Sequence, residues 1–155
     1  MKPIRILGIG SPSGDDQAGW LTVDALLGTG VQARDRVIID KLDRPGASLT
    51  TQMEDAAWLI LIDAMQAGGD VGRIRHFGQQ DWMQYGQGLS SHGFGVLDAL
   101  ALACALGSLP PRIDLYGIEI ASADPGLPPD NRVREAAQRL ARHLAAELEQ
   151  AAPSH

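Results

Sequence analysis

The chain carries a single cysteine, Cys104. One thiol excludes an intramolecular disulfide and any multi-cysteine metal site. Its place in the apolar stretch from Leu100 to Leu106 predicts a buried small hydrophobe. Basic residues form no long run and the formal net charge is -6, which argues against a surface for nucleic-acid phosphates. No segment approaches the roughly 20 apolar residues of a membrane span. Lys2 precedes an apolar run, but glycine and aspartate break it before a signal-peptide core develops. Repeats, low-complexity tracts and domain linkers are also missing. What remains is a soluble cytoplasmic protein with neither nucleic-acid nor membrane partners, folded as one domain over residues 1–155. Its 45% hydrophobic content is enough for one substantial core.

Several catalytic signatures are absent too. There is no Gly-x-x-x-x-Gly-Lys-Ser/Thr, so no P-loop, and no His-Glu-x-x-His of an ordinary zinc protease. A Gly-x-Ser-x-Gly elbow, which would present a hydrolase serine, does not occur. Gly8-Ile9-Gly10 invites a dinucleotide fingerprint, but its third glycine would fall on Ser13, and Gly14 is out of register.

Against these absences stands a regular alternation of apolar runs and helical periodicity. Strands are predicted at Ile4 to Gly10, Arg36 to Asp40, Trp58 to Ala64, Gly72 to Phe77 (of edge character) and Arg112 to Ile120. Helices are predicted at Asp16 to Leu27, Pro45 to Glu54, Gly93 to Leu106 and Asn131 to Ala151. The last carries Val133, Ala137, Leu140, Leu144 and Leu148 on one face. Trp58 to Ala64 is continuously apolar, as a central strand should be. This order predicts a three-layer α/β/α fold with a twisted, mostly parallel five-stranded sheet and helices on both faces. The one long irregular stretch, Gly78 to Ser91, contains Trp82, Met83 and Tyr85; it is either a functional loop or a cover for core edges.

In a parallel sheet, ligands bind beyond the carboxyl ends of the strands. The polar residues there are Asp15 and Asp16, Asp63, Ser90-Ser91-His92, and Glu119 with Ser122. Asp16, considered alone, reads rather as a helix cap, and His92 as a cap or space-filler. Asp63 ends a buried strand, where a carboxylate needs a partner. Carboxylate and imidazole together suit a borderline divalent ion. His76, His143 and His155 look like solvated surface residues.

These segments resemble, in order, those of the hydrogenase maturation endopeptidases, which cleave a C-terminal peptide from the large subunit of nickel-iron hydrogenases. Ile6-Leu-Gly-Ile-Gly-Ser-Pro-Ser-Gly-Asp-Asp-Gln-Ala-Gly19 is similar to the family's opening Leu-Gly-x-Gly-Asn, turn and acidic pair. Leu61-Ile-Asp-Ala64 is similar to its central strand, and Ser91-His-Gly-Phe-Gly95 to its Ser/Thr-x-His segment. Gly117-Ile-Glu-Ile120 and Gly126-Leu-Pro-Pro129 are similar to its last strand and the turn before the final helix. The family's metal-contacting positions fall on Asp16, Asp63 and His92, which are also the catalytic candidates. Two departures stand out: Ser11 replaces the usual asparagine, and Lys41-Leu-Asp-Arg-Pro-Gly46 replaces an Asp-Gly-Gly-Thr-x-Gly loop.

The resemblance implies a monomeric endopeptidase acting on a nickel-loaded hydrogenase large-subunit precursor. Nickel is then supplied by the precursor, and no cofactor is permanently bound. Asp43, Gly46 and Trp82 are the expected substrate-binding positions. The alternatives are a non-catalytic nickel-sensing or nickel-delivery module, a peptidyl-tRNA hydrolase with a similar glycine turn, and a dinucleotide enzyme.

Overall fold

The first strand, β1 (Ile4–Gly10), is apolar on both faces, and Leu7 and Ile6 are fully buried. That is the pattern of a strand covered above and below. In a computed structural model of the chain, which describes residues 2–11, 14–33, 36–43, 52–78, 81, 96–121 and 127–151, β1 lies inside a five-stranded sheet. The other strands are β2 (Val37–Asp43), β3 (Trp58–Met65), β4 (Ile74–Phe77) and β5 (Arg112–Glu119), in the order β2-β1-β3-β5-β4. All neighbours run parallel except β4, an antiparallel edge strand. The expected fold class and edge strand are observed. β2 extends to Asp43, beyond the expected Asp40, because β1 offers parallel partners through Gly10↔Asp43.

Three helices flank the sheet among the described residues: α1 (Ala18–Leu27), α2 (Val96–Ala105) and α3 (Asn131–Ala151). α3 buries Val133, Ala137, Leu140, Leu144 and Leu148 to 1% exposure or less, the stripe expected from its sequence. It shares a core with α1 and with Ile6, Ile60, Ile62 and Ile118 of the sheet. Leu100 and Ala103 of α2 pack on the opposite face, against Leu7, Leu59, Leu61, Met65 and Leu115. Strand alternation therefore sends odd-numbered residues of β1, β3 and β5 toward α2 and even-numbered ones toward α1 and α3. Cys104 departs from expectation and is exposed. α2 buries Ala103, and the next residue turns about 100° away from it. Of the expected helix Pro45 to Glu54, only the end is described.

The glycines of the opening turn serve packing. A Cβ on Gly8 would sit 2.5 Å from Gly19 O and Val23 Cγ2. One on Gly19 would overlap Ile9 O and lie 2.5 Å from Ile62 O. The group that approaches the β1 backbone is thus its own helix, held in contact with β1 and β3 at a distance only glycine permits.

Candidate active site at the β1–β3 switch point

From β1 the chain passes to β2 on one side, and β3 then takes up position on the other. Connections leaving a strand pair in opposite directions open a crevice at the carboxyl ends, the usual ligand position in such sheets. Asp16 lies in the short 3-10 turn Gly14–Gln17 that follows β1 and rests against β3. Its Oδ2 accepts the Ser11 hydroxyl at 2.5 Å, and its carbonyl accepts Ser11 N–H at 3.3 Å. The serine that stands in place of the family's asparagine thereby ties the strand end to the carboxylate. The cap position of α1 falls on Gln17, whose side chain makes no capping bond.

Asp63, two residues before the end of β3, is 7% exposed and faces the α2 side between Leu61 and Met65. Its Oδ1 accepts the Ala64 N–H at 2.8 Å, so the buried carboxylate has the partner its position demands. Asp16 and Asp63 thus occupy the carboxyl ends of adjacent strands. Asp43 reaches the same rim: it is exposed and pairs with Gly10, whereas Asp40 pairs with Leu7, three positions back. Trp20 Nε1 donates to Leu42 O at 3.0 Å and fastens α1 to the end of β2. His92, Gly46 and Trp82 lie outside the described residues, as do Ser90, Ser91 and Ser122. Among the described residues no three His, Cys, Asp or Glu side chains form a metal-holding group.

Asp15, paired with Asp16 in the sequence, has a different role. It is 6% exposed, and its Oδ1 accepts the Asp130 N–H at 2.7 Å. Asp130 in turn caps α3 by accepting Arg132 N–H at 2.8 Å. One carboxylate of the pair therefore locks the turn to the start of α3, and its neighbour is left at the rim.

A second polar cluster lies on the other face, toward the amino end of β5. Asp114, 6% exposed, accepts Trp58 Nε1 at 2.8 Å and Arg112 Nε at 3.1 Å, and pairs with His76 at 2.7 Å. Arg112 also reaches Glu147 of α3 at 3.1 Å, and the His76 ring stacks on Tyr116 at 4.4 Å. The hydrogen bond to Asp114 raises the His76 pKa above its usual 6.5. Burial pushes Asp114 upward, but its bonds to His76 and Trp58 and the charge of Arg112 outweigh that and hold it below 3.8. His76 and His143 are half-exposed, as expected, yet His76 is held by Asp114 and His143 by Glu147 at 3.3 Å. The sequence signal was Asp114 itself, a carboxylate within a buried strand that has to find donors. This cluster joins β3, β4, β5 and α3 and stands apart from the rim.

The family model for "HycI: hydrogenase maturation protease" matches residues 44–147, more than half of the chain. No curated protein matches the chain in sequence. Among solved structures, the hydrogenase maturating endopeptidase HybD from E. coli is similar at 22% identity and a TM-score of 0.78, covering 96% of this chain and 93% of that one. The [NiFe] hydrogenase maturation protease HycI from Thermococcus kodakarensis KOD1 is similar at 22% identity and 0.72, with the same coverage. A hydrogenase 2 maturation peptidase from Thaumarchaeota archaeon SCGC_AB-539-E09 gives 24% and 0.69, covering 96% of this chain and 99% of that one. At these identities the structural likeness is one of fold, and the fold is the five-stranded α/β sheet described above. With the family match over β3, β4, β5 and the helices between and after them, the chain belongs to the hydrogenase maturation protease family.

Proposed function

We propose that this peptidase removes the C-terminal peptide of a hydrogenase large-subunit precursor, as a cytoplasmic monomer, and recognises nickel already held by that precursor. Asp16 and Asp63, with His92, contact the ion. The observation that carries this reading is the pair of carboxylates on adjacent strand ends at the β1–β3 switch point, one of them fixed by Ser11 and the other by its own backbone. Carboxylate oxygens and an imidazole suit a borderline cation. Supplied from the enzyme side, they complete the coordination of an ion whose other ligands belong to the substrate. Binding the ion at a fixed point orients the adjacent peptide bond, and the ion polarises the scissile carbonyl or a water. Asp43, at the end of β2, borders the entry to this rim.

The test is cleavage of a nickel-loaded large-subunit precursor, followed by gel shift, with Asp63→Asn, Asp16→Ala and His92→Ala variants whose folding is checked by thermal melts. Asp63→Asn keeps the shape and the backbone bond but removes the charge. Each folded variant should lose processing, and precursor lacking nickel should remain uncut by wild type. Full processing by all three variants would remove the proposed site. A tight stoichiometric nickel complex of the isolated protein, without cleavage, would indicate a nickel-handling module in place of a protease.

A further inference from the structure

Because β5 lies between β3 and β4, the connection from Gln66 to Arg73 has to arch over the carboxyl end of β5. Glu119, the last residue of β5, lies beneath that arch. Its backbone is clamped there: Gly72 N–H donates to Glu119 O, and Glu119 N–H donates to Arg73 O, both at 2.8 Å. Its side chain is 1% exposed. Oε2 accepts Ala67 N–H at 2.7 Å, but Oε1 has no hydrogen-bond partner among the described residues. None of the ion pairs among the described residues includes Glu119. A carboxylate has room for about four donors. A buried one with a single donor and no counter-charge is an expensive arrangement.

Two further features give this oxygen a direction. Met65 pairs with Glu119 and Asp63 with Gly117, so the odd-numbered side chains Asp63 and Glu119 lie on the same face of adjacent strands. The arch that covers Oε1 is also thin. A Cβ on Gly69 would lie 3.2 Å from Oε1, and Ala67 and Gly68 beside it are exposed. Gly68, with φ of 82°, gives the exposed crest of the arch a backbone conformation that glycine adopts freely.

We propose that Glu119 is a specificity-determining residue: its unpaired carboxylate oxygen accepts a cationic side chain (Lys, Arg or protonated His) from the precursor segment that crosses the rim beside Asp63. The inference rests on the reading of that rim as the cleavage site. Wild-type Glu119 already bears the desolvation, so a cation arriving there gains a charge-assisted bond without stripping a fresh carboxylate of water. The arch from Ala67 to Gly69 lifts to admit it.

The test uses the full-length enzyme and a nickel-loaded large-subunit precursor. Glu119→Gln keeps the size and an acceptor for Ala67 N–H and removes the charge. It should raise KM about tenfold or more, the loss expected for a hydrogen bond to a charged group, with kcat little changed. Replacing the basic residues that flank the scissile bond by Gln should raise KM for wild type by a similar factor. It should cost Glu119→Gln nothing further. Unchanged KM in Glu119→Gln, losses that add instead of coinciding, or a precursor with no basic residue near the bond would each overturn the proposal, leaving Oε1 to hold a water. If Glu119→Gln fails to fold, the precursor arm on wild type alone decides. Asp63→Asn run in parallel separates the failures. An active Asp63→Asn removes Asp63 from the site and with it the rim on which this proposal rests, whereas an inactive one beside a normal Glu119→Gln removes only the role of Glu119.

Discussion

Gly19→Ala sets two physical effects of opposite sign against each other. Inside a helix, alanine is preferred over glycine by about 1 kcal/mol, so propensity predicts a more stable protein. Packing predicts the reverse. The new Cβ would overlap Ile9 O, sit 2.5 Å from Ile62 O and 2.9 Å from Ile9 N. All three are backbone atoms of central strands, and no flexible side chain can swing aside. Relief requires α1 to back away from β1 and β3 by roughly 0.7–1 Å, a gap that forfeits about a quarter to a half of the dispersion contact across it. The residues that lose contact are Ala18, Thr22, Val23 and Leu26, all buried. Overpacking of this kind typically costs about 1–3 kcal/mol, occasionally more. With two backbone carbonyls involved, the upper part of that range applies, and the net loss after propensity is about 2 kcal/mol. Urea unfolding should show a lower midpoint with an unchanged slope, and the melting temperature should fall by about 4–8 °C. The turn carrying Asp16 rides on the same helix, so precursor processing should fall as well. Gly28→Ala is the control: its φ of -65° is ordinary helical backbone, with the nearest atom, Ala25 O, at 3.3 Å. It should change stability by no more than about 1 kcal/mol. A Gly19→Ala variant as stable as wild type would show that propensity wins and that the close approach is no constraint.

Asp15→Ala removes the acceptor of the part-buried Asp130 N–H and should cost about 1 kcal/mol, while Asp15→Asn, which keeps an acceptor, should cost less; urea denaturation distinguishes them. The His76–Asp114 pair should make stability pH-dependent on both sides. Raised in the folded state, His76 contributes fully below 6.5 and loses its contribution as pH rises through its folded pKa. Asp114, lowered in the folded state, contributes above 3.8 and loses its contribution as pH falls through its folded pKa. The stability difference between wild type and His76→Asn should therefore peak between pH 3.8 and 6.5 and shrink at higher pH, and a flat difference would contradict the pairing. Cys104, being exposed, should react with iodoacetamide in the native protein at a rate close to that in urea, without unfolding it.

The sheet was legible in the sequence because its signals are local. β3 is a nearly continuous apolar run, β1 and β5 are mostly apolar, and the stripe of α3 repeats at helical spacing; these patterns follow from burial of nearby residues against whatever covers them. The same order of segments identified the family and brought Asp16 and Asp63 to one rim, since carboxyl ends of parallel strands share an edge by topology alone. Roles within that rim depended on partners distant in sequence. Asp15 and Asp16 are adjacent and chemically identical, yet Asp15 is taken by an amide 115 residues away and Asp16 by Ser11. Gly8 and Gly10 resemble half of a nucleotide fingerprint, and only the packed helix shows that Gly8 is there to meet Gly19. Cys104 sits in an apolar helix, but which side of that helix faces the sheet is set by Leu100 and Ala103 docking on it. His76 looked solvated because nothing beside it in the chain binds it. Asp114, 38 residues on, comes within reach only when β4 turns antiparallel along β5. Local pattern fixes the buried strands and the buried stripe of α3, whereas the exposed side of α2 and the partner of each polar group are set by how strands and helices are placed against one another.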